Sequence, residues 1–166
     1  MKALSRLLGL LLLLGISAMA QDETPGVELF GGYSYLHQNI ANGGFNLNGG
    51  STSVALNVNH WLGVVADVGA YHGSPLTTVT YLFGPKFSYR SKSPVTPFAH
   101  ILFGGAHTTN SSNAFAMAVG GGLDLRADSN WSWRMVQAEY LFTNFNDGVT
   151  GHQHNARIST GVVYSW

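Results

Sequence analysis

Seven histidines, eight acids and eight bases carry most of the chemistry available to this 166-residue chain, which has no cysteine. His152 and His154 stand at i and i+2, so a strand would put both on one face, where a Zn, Ni or Cu ion could be held. The plainer reading is that histidine is common in loops and at interfaces, so no metal and no cofactor is assigned. Glu28, Asp67, Asp124 and Glu139 oppose Lys86, Arg90, Arg126 and Arg157 in number. If they share an interior they form a charge network, because buried charge must be paired. Such a network is a salt-bridged plug or, alternatively, the wall of a narrow conduit. Gly120-Gly121-Gly122 offers no phosphate cradle; inside a strand it relieves crowding at a bend.

The elements that must position these residues are strands. From Val79 to Tyr89 the odd positions are Val, Tyr, Phe, Pro, Phe and Tyr, and the even positions are mostly polar or small, with Leu82 the exception. Period two is the signature of a strand between two environments. The same sorting recurs over Val27–Tyr35, Phe115–Arg126 and Arg157–Trp166. It predicts eight strands near 27–37, 51–60, 63–73, 77–91, 96–107, 114–127, 132–144 and 153–166. Short turns at 60–63, 91–94 and 128–131 then alternate with longer, more polar connections, the first of them the Asn- and Gly-rich stretch from Gln38 to Gly50. His37, His72, His107, His152 and His154 map to the ends beside those longer connections, and His100 faces inward beside the charges.

Lys2 and Arg6, the apolar run from Leu7 to Ile16 and Ala18-Met19-Ala20 read as a secretory signal peptide over residues 1–20. Its apolar run is well short of the roughly 20 residues that span a bilayer. Residues 21–166 are expected to form one domain. Six bases and eight acids remain there, and no basic field points to nucleic acid. Only 10% of the chain is charged, where soluble domains carry about 25%. A transmembrane barrel accounts for a chain this apolar with no helical span. The polar face is mostly Gly, Ala, Ser, Thr and Asn, which suits a narrow interior better than a soluble exterior. Tyr35, Trp61, Tyr81, Tyr89, Trp131, Tyr140, Tyr164 and Trp166 gather near strand ends, as interfacial girdles do. The inverse assignment, a soluble secreted barrel carrying a hydrophobic ligand, keeps the alternation but not the scarcity of charge.

Val27-Glu28-Leu29-Phe30-Gly31-Gly32-Tyr33-Ser34-Tyr35, Leu82-Phe83-Gly84-Pro85-Lys86-Phe87, Pro97–Gly105 and Gly161–Trp166 together resemble the small outer-membrane β-barrel family, the OmpA-like and OmpX-like eight-stranded class. The resemblance implies an all-β, eight-stranded antiparallel up-and-down transmembrane barrel, monomeric, in the cell outer membrane. Its partners would be outer-membrane lipid and the barrel-assembly machinery, which would read Val162, Tyr164 and Trp166 as an assembly signal. Trp166 departs from the commoner final Phe. The peptidoglycan-binding domain often appended in OmpA-like proteins is not expected here. A structural or loop-mediated role in the envelope, without catalysis, is the leading expectation; a narrow porin and a lipid-modifying enzyme are the alternatives. A deacylase-like site would need Ser two residues after the histidine, and Ala156 stands there after His154, with Ser159 on the opposite face.

Overall fold

The computed structural model describes residues 24–40, 43–74, 76–109, 113–144 and 152–166. They form eight strands: β1 (Val27–Ile40), β2 (Gly43–Asn57), β3 (Leu62–Gly73), β4 (Leu76–Ser88), β5 (Val95–Thr108), β6 (Asn113–Arg126), β7 (Trp131–Asn144) and β8 (His152–Ser165). Each pairs antiparallel with its chain neighbours, and β1 closes on β8, giving a closed up-and-down barrel with no helix among the described residues. The closing seam runs from Glu28 opposite Ser165 to His37 opposite Ala156. Val27 and Trp166 exchange backbone hydrogen bonds at 3.1 Å, so the sheet has no free edge there.

Alternation translates directly into two surfaces. On β3, Val65, Asp67, Gly69 and Tyr71 point inward, while Val64, Ala66, Val68 and Ala70 point outward. The outer surface is the apolar one: Phe83 is 63% exposed and Tyr33 52%, whereas Arg157 and Asp67 inside are 0% and 2% exposed. Among the described residues, no outward-facing strand position carries Asp, Glu, Lys or Arg. This is the reverse of a soluble domain, where charge covers the surface.

Two expectations from sequence need correction. The Asn- and Gly-rich stretch expected as a first long loop is strand: β1 runs on to Ile40, and Gly43–Gly50 pairs with Tyr33–Ile40. Its polar residues are there because the hairpin continues beyond the apolar band, where outward positions such as Asn46 and Asn48 no longer need to be apolar. The expected alternation of short turns with mostly longer connections fails with it, since only residues 41–42 separate β1 from β2, while 89–94 separates β4 from β5.

β7 departs from strict alternation. Leu123 faces Val136 and Asp124 faces Arg134, leaving Met135 as an extra residue in β7; across the other edge Arg134 faces Gly161 and Gln137 faces Ser159. This β-bulge lets Arg134 and Gln137, three residues apart, point to the same side. At the barrel end that holds Thr24 and Trp166, the first and last described residues, the turns are closed locally: Asn59 Oδ1 accepts from the amides of Trp61 and Leu62 at 2.9 and 2.8 Å, an Asx turn. Asn130 binds Ser165 in both directions at 2.8 and 2.7 Å, clamping the last strand. Trp61 stacks on Phe87, and Tyr164 lies between Trp131 and Trp166, so aromatic rings gather at this terminal end.

Candidate functional site in the barrel interior

The interior is filled in layers. A vestibule of about 920 Å³ opens at the terminal end, lined by residues that include Arg90, Lys92, Asp124 and Arg126. It narrows onto Glu28, whose carboxylate is bound by both Lys86 and Arg90 and accepts from Asn57 Nδ2 at 3.0 Å. Beyond it the Phe30 and Phe98 rings sandwich the Arg134 guanidinium at 4.5 and 4.3 Å, and Lys86 lies 4.9 Å from the Phe98 centroid. These cation–π contacts stabilise cations held away from water.

From Arg134 the network is continuous. Its Nε and Nη2 donate to the two oxygens of Asp124 at 2.7 and 2.9 Å, and its Nη1 donates to Gln137 at 2.8 Å. Gln137 Nε2 donates to Glu139 at 2.9 Å. Arg157 makes a two-pronged bond to Glu139 at 2.5 and 2.6 Å and turns its remaining nitrogen to Asp67 at 2.7 Å and the Tyr71 hydroxyl at 2.8 Å. His100 Nε2 meets Glu139 at 2.8 Å. Two glycines make room: a Cβ on Gly69 would fall 2.0 Å from the Tyr71 hydroxyl, and one on Gly120 would fall 2.7 Å from Glu139 Cγ. Beside the network lies a void of about 10 Å³, the size of a single water site.

The next layer is apolar: Leu36, Leu47, Leu82, Leu102 and Leu141 pack with Ala106, Ala116 and Ala118, all buried. Leu82, the exception to alternation in β4, belongs here. The end away from Thr24 and Trp166, the distal end, is lined by buried amides and hydroxyls. Gln38 donates to Gln153 at 2.9 Å, Thr78 meets Thr108 at 3.0 Å, and Asn155 donates to Thr143 at 3.1 Å. Along β7 the sequence of layers reads Glu139, Leu141, Thr143.

The structure brings together Glu28, Lys86 and Arg90 in one cluster, and Asp67, Glu139 and Arg157 in another. Asp124 is also inside, but its partner is not Arg126, which is exposed at the vestibule and makes no ion pair among the described residues. The partner is Arg134, missed because strict alternation counted back from Glu139 points it outward; only the bulge turns it in. The Met135-Val136 pair that forms the bulge carries no glycine or proline to announce it. Four acids still face four bases, with Arg134 in the place expected for Arg126.

Val162, Tyr164 and Trp166 share the outward face at the end of β8. His154 is exposed on the outer surface, where its Nδ1 meets the Tyr140 hydroxyl. His152 begins β8, but its side chain lies outside the described residues, and no group of three or more potential ligands is placed to hold a metal among those described. Residues 1–20, read from sequence as a signal peptide, also lie outside them.

In architecture the chain is similar to small outer-membrane barrels. Neisserial surface protein A superposes with a TM-score of 0.68 at 15% identity, over 85% of this chain and 97% of that one. Ail, the attachment invasion locus protein of Yersinia pestis, gives 0.61 at 16% identity over 86% and 99%. The outer membrane protein OprG from Pseudomonas aeruginosa gives 0.58 at 7% identity over 86% and 96%. These likenesses establish a shared eight-stranded barrel. No family model and no curated protein sequence matches the chain.

Proposed function

We propose that this chain is a bacterial outer-membrane protein with a closed lumen, which acts through its rims and its place in the envelope rather than by transport or catalysis. The observation that carries the reading is the inverted surface: large apolar side chains outside, and four acids bonded to four bases inside. A hydrocarbon surround accounts for both. Residues 1–20 then serve as the export signal, and the terminal end faces the periplasm. Val162, Tyr164 and Trp166 present the assembly machinery with an aromatic strand end. The lumen argues against a porin, because charged, apolar and amide layers of buried side chains succeed one another and bond or pack across the barrel. Among the described residues the interior imidazole of His100 is bonded to Glu139 and to no Ser or Thr hydroxyl that it could activate.

The test is fractionation of the expressed protein followed by electrophoresis with and without boiling. Recovery with outer membranes and a mobility shift on heating are expected. Recovery in the periplasm without detergent would overturn the reading and turn the apolar set into the lining of a ligand cavity. Planar bilayers containing the folded protein are expected to show no discrete conductance steps.

A further inference from the structure

His37, His72 and His107 recur at intervals of 35 residues, one near the distal end of each of β1, β3 and β5. At the next interval, on β7, stands Phe142, and the residue opposite it on β8 is His154. All four histidines lie on the outward face; His72, His107 and His154 are exposed and His37 half-buried. Each Nδ1 is held by a neighbour on the sheet: Asn46 Oδ1 at 2.7 Å, Thr77 Oγ1 at 2.8 Å, Asn113 Oδ1 at 3.0 Å, and the Tyr140 hydroxyl. Each Nε2 is left without a partner among the described residues. Gly44 leaves room for the His37 ring, since a Cβ there would lie 2.8 Å from its Cε1.

Their height follows from the strands. On β3 the outward positions Leu62, Val64, Ala66, Val68 and Ala70 precede His72. Ten residues at about 3.3 Å each, tilted by about 45°, rise about 23 Å, close to the ~25 Å apolar band of an outer-membrane barrel. The same ten residues separate Val27 from His37, Pro97 from His107 and Tyr164 from His154. When the apolar band fills the hydrocarbon, the four imidazoles therefore meet the lipid headgroups of the distal leaflet.

We propose that this histidine belt binds the phosphate groups of the surrounding lipids and does so more tightly when the imidazoles are protonated. The inference rests on the membrane reading above. Where Nδ1–H donates to the Asn46 and Asn113 oxygens, neutral His37 and His107 turn a lone pair at Nε2 toward the lipid. Protonation replaces it with an N–H donor and a positive charge, the arrangement that forms charge-assisted bonds to phosphate. Among the described residues no charged group lies beside them to mask the change. His37 faces Asn46 and Gly44 on β2 and Ala156 on β8; His72 faces Asn48 on β2 and Thr77 on β4; His107 faces Val79 on β4 and Asn113 on β6; His154 faces Tyr140 and Phe142 on β7. Among the described residues the titratable groups on this part of the outer face are Tyr33 and Tyr35, each bonded to an asparagine, Tyr81, two residues along β4 from Val79, and Tyr140.

The test uses the folded full chain in phosphatidylcholine nanodiscs containing spin-labelled phosphatidylglycerol or spin-labelled phosphatidylcholine. The preference for phosphatidylglycerol is expected to rise at least about threefold from pH 8 to pH 5.5, given roughly 1 kcal/mol per cationic side chain at an anionic surface. In a variant carrying H37Q, H72Q, H107Q and H154Q the preference is expected not to change with pH. Should that variant lose its heat-modifiable mobility, H72Q and H107Q tested singly are each expected to reduce the rise. Inorganic phosphate is expected not to compete. A pH-independent preference, an undiminished rise in the variants, or displacement by inorganic phosphate would overturn the proposal. Failure of the native chain to enter the discs would instead sink the membrane reading on which it rests.

Discussion

Arg134 and Arg126 differ in sequence position by less than one strand and in role by their whole environment. Arg134 is buried, grips both oxygens of Asp124 and lies between two phenyl rings; Arg126 is exposed. Removing one partner of a buried pair leaves the other charge desolvated and alone, at a cost of about 3–5 kcal/mol. R134A is therefore expected to lose about that much stability against urea, and R126A less than ~0.5 kcal/mol. Equal losses would mean that Arg126 shares the network after all. Arg157 is the most heavily committed side chain, with Glu139, Asp67 and Tyr71 all on one guanidinium. R157K is expected to fall short of the native protein by about 1.5–3 kcal/mol in the same unfolding measurement, because a lysine cannot make the two-pronged bond to Glu139 while also reaching Asp67.

At the scale of the element, the β7 bulge decides which residues enter the lumen. Met135 is the extra residue: taking it out would restore regular alternation from Arg134 through Val136 to Gln137 without moving either face. A chain lacking Met135 is expected to keep its heat-modifiable mobility. A chain lacking Val68 is expected to lose it, because β3 has no bulge and a one-residue slip would turn either Asp67 or Tyr71 outward. Collapse of the first variant as complete as that of the second would show that the bulge is needed for more than register. The β1–β2 hairpin makes a second element-level point. Residues 43–50 are paired with β1 rather than looped, so their backbone amides that donate into the ladder are expected to exchange slowly with deuterium.

For the whole molecule, the inverted distribution of polarity makes stability depend on the surrounding medium. Val68 sits midway along β3, 50% exposed on the outer face. V68R is expected to cost about 2–4 kcal/mol when the barrel is unfolded from lipid vesicles, the penalty for a cation near the bilayer midplane. If the outer face met water, the same change would fall within about 0.5 kcal/mol. The interior layers are bonded largely among themselves, and among the described residues Asn57 Oδ1 and Thr80 Oγ1 are the buried side-chain atoms left without a partner.

The period-two pattern by itself determined the strand count, the antiparallel meander and which residue set shares each face, because side chains must alternate along an extended backbone. Scarcity of charge determined which face is inside, since eight charges confined to a narrow interior can pair and an exterior so poor in charge cannot hold water. Glu28, Asp67, Lys86, Glu139 and Arg157 were legible on that basis alone. Tertiary structure decided what alternation cannot express. A bulge adds one residue without changing composition, so Arg134 was hidden. The exceptions Leu36 and Leu82 became a layer only once the barrel closed and brought them beside Leu47, Leu102 and Leu141. Asn and Gly between residues 38 and 50 look like a loop because local preference favours turns there, yet pairing along the full length of β1 outweighs that preference. Which histidines share one height was likewise settled by strand register, which depends on every neighbouring pair around the closed sheet.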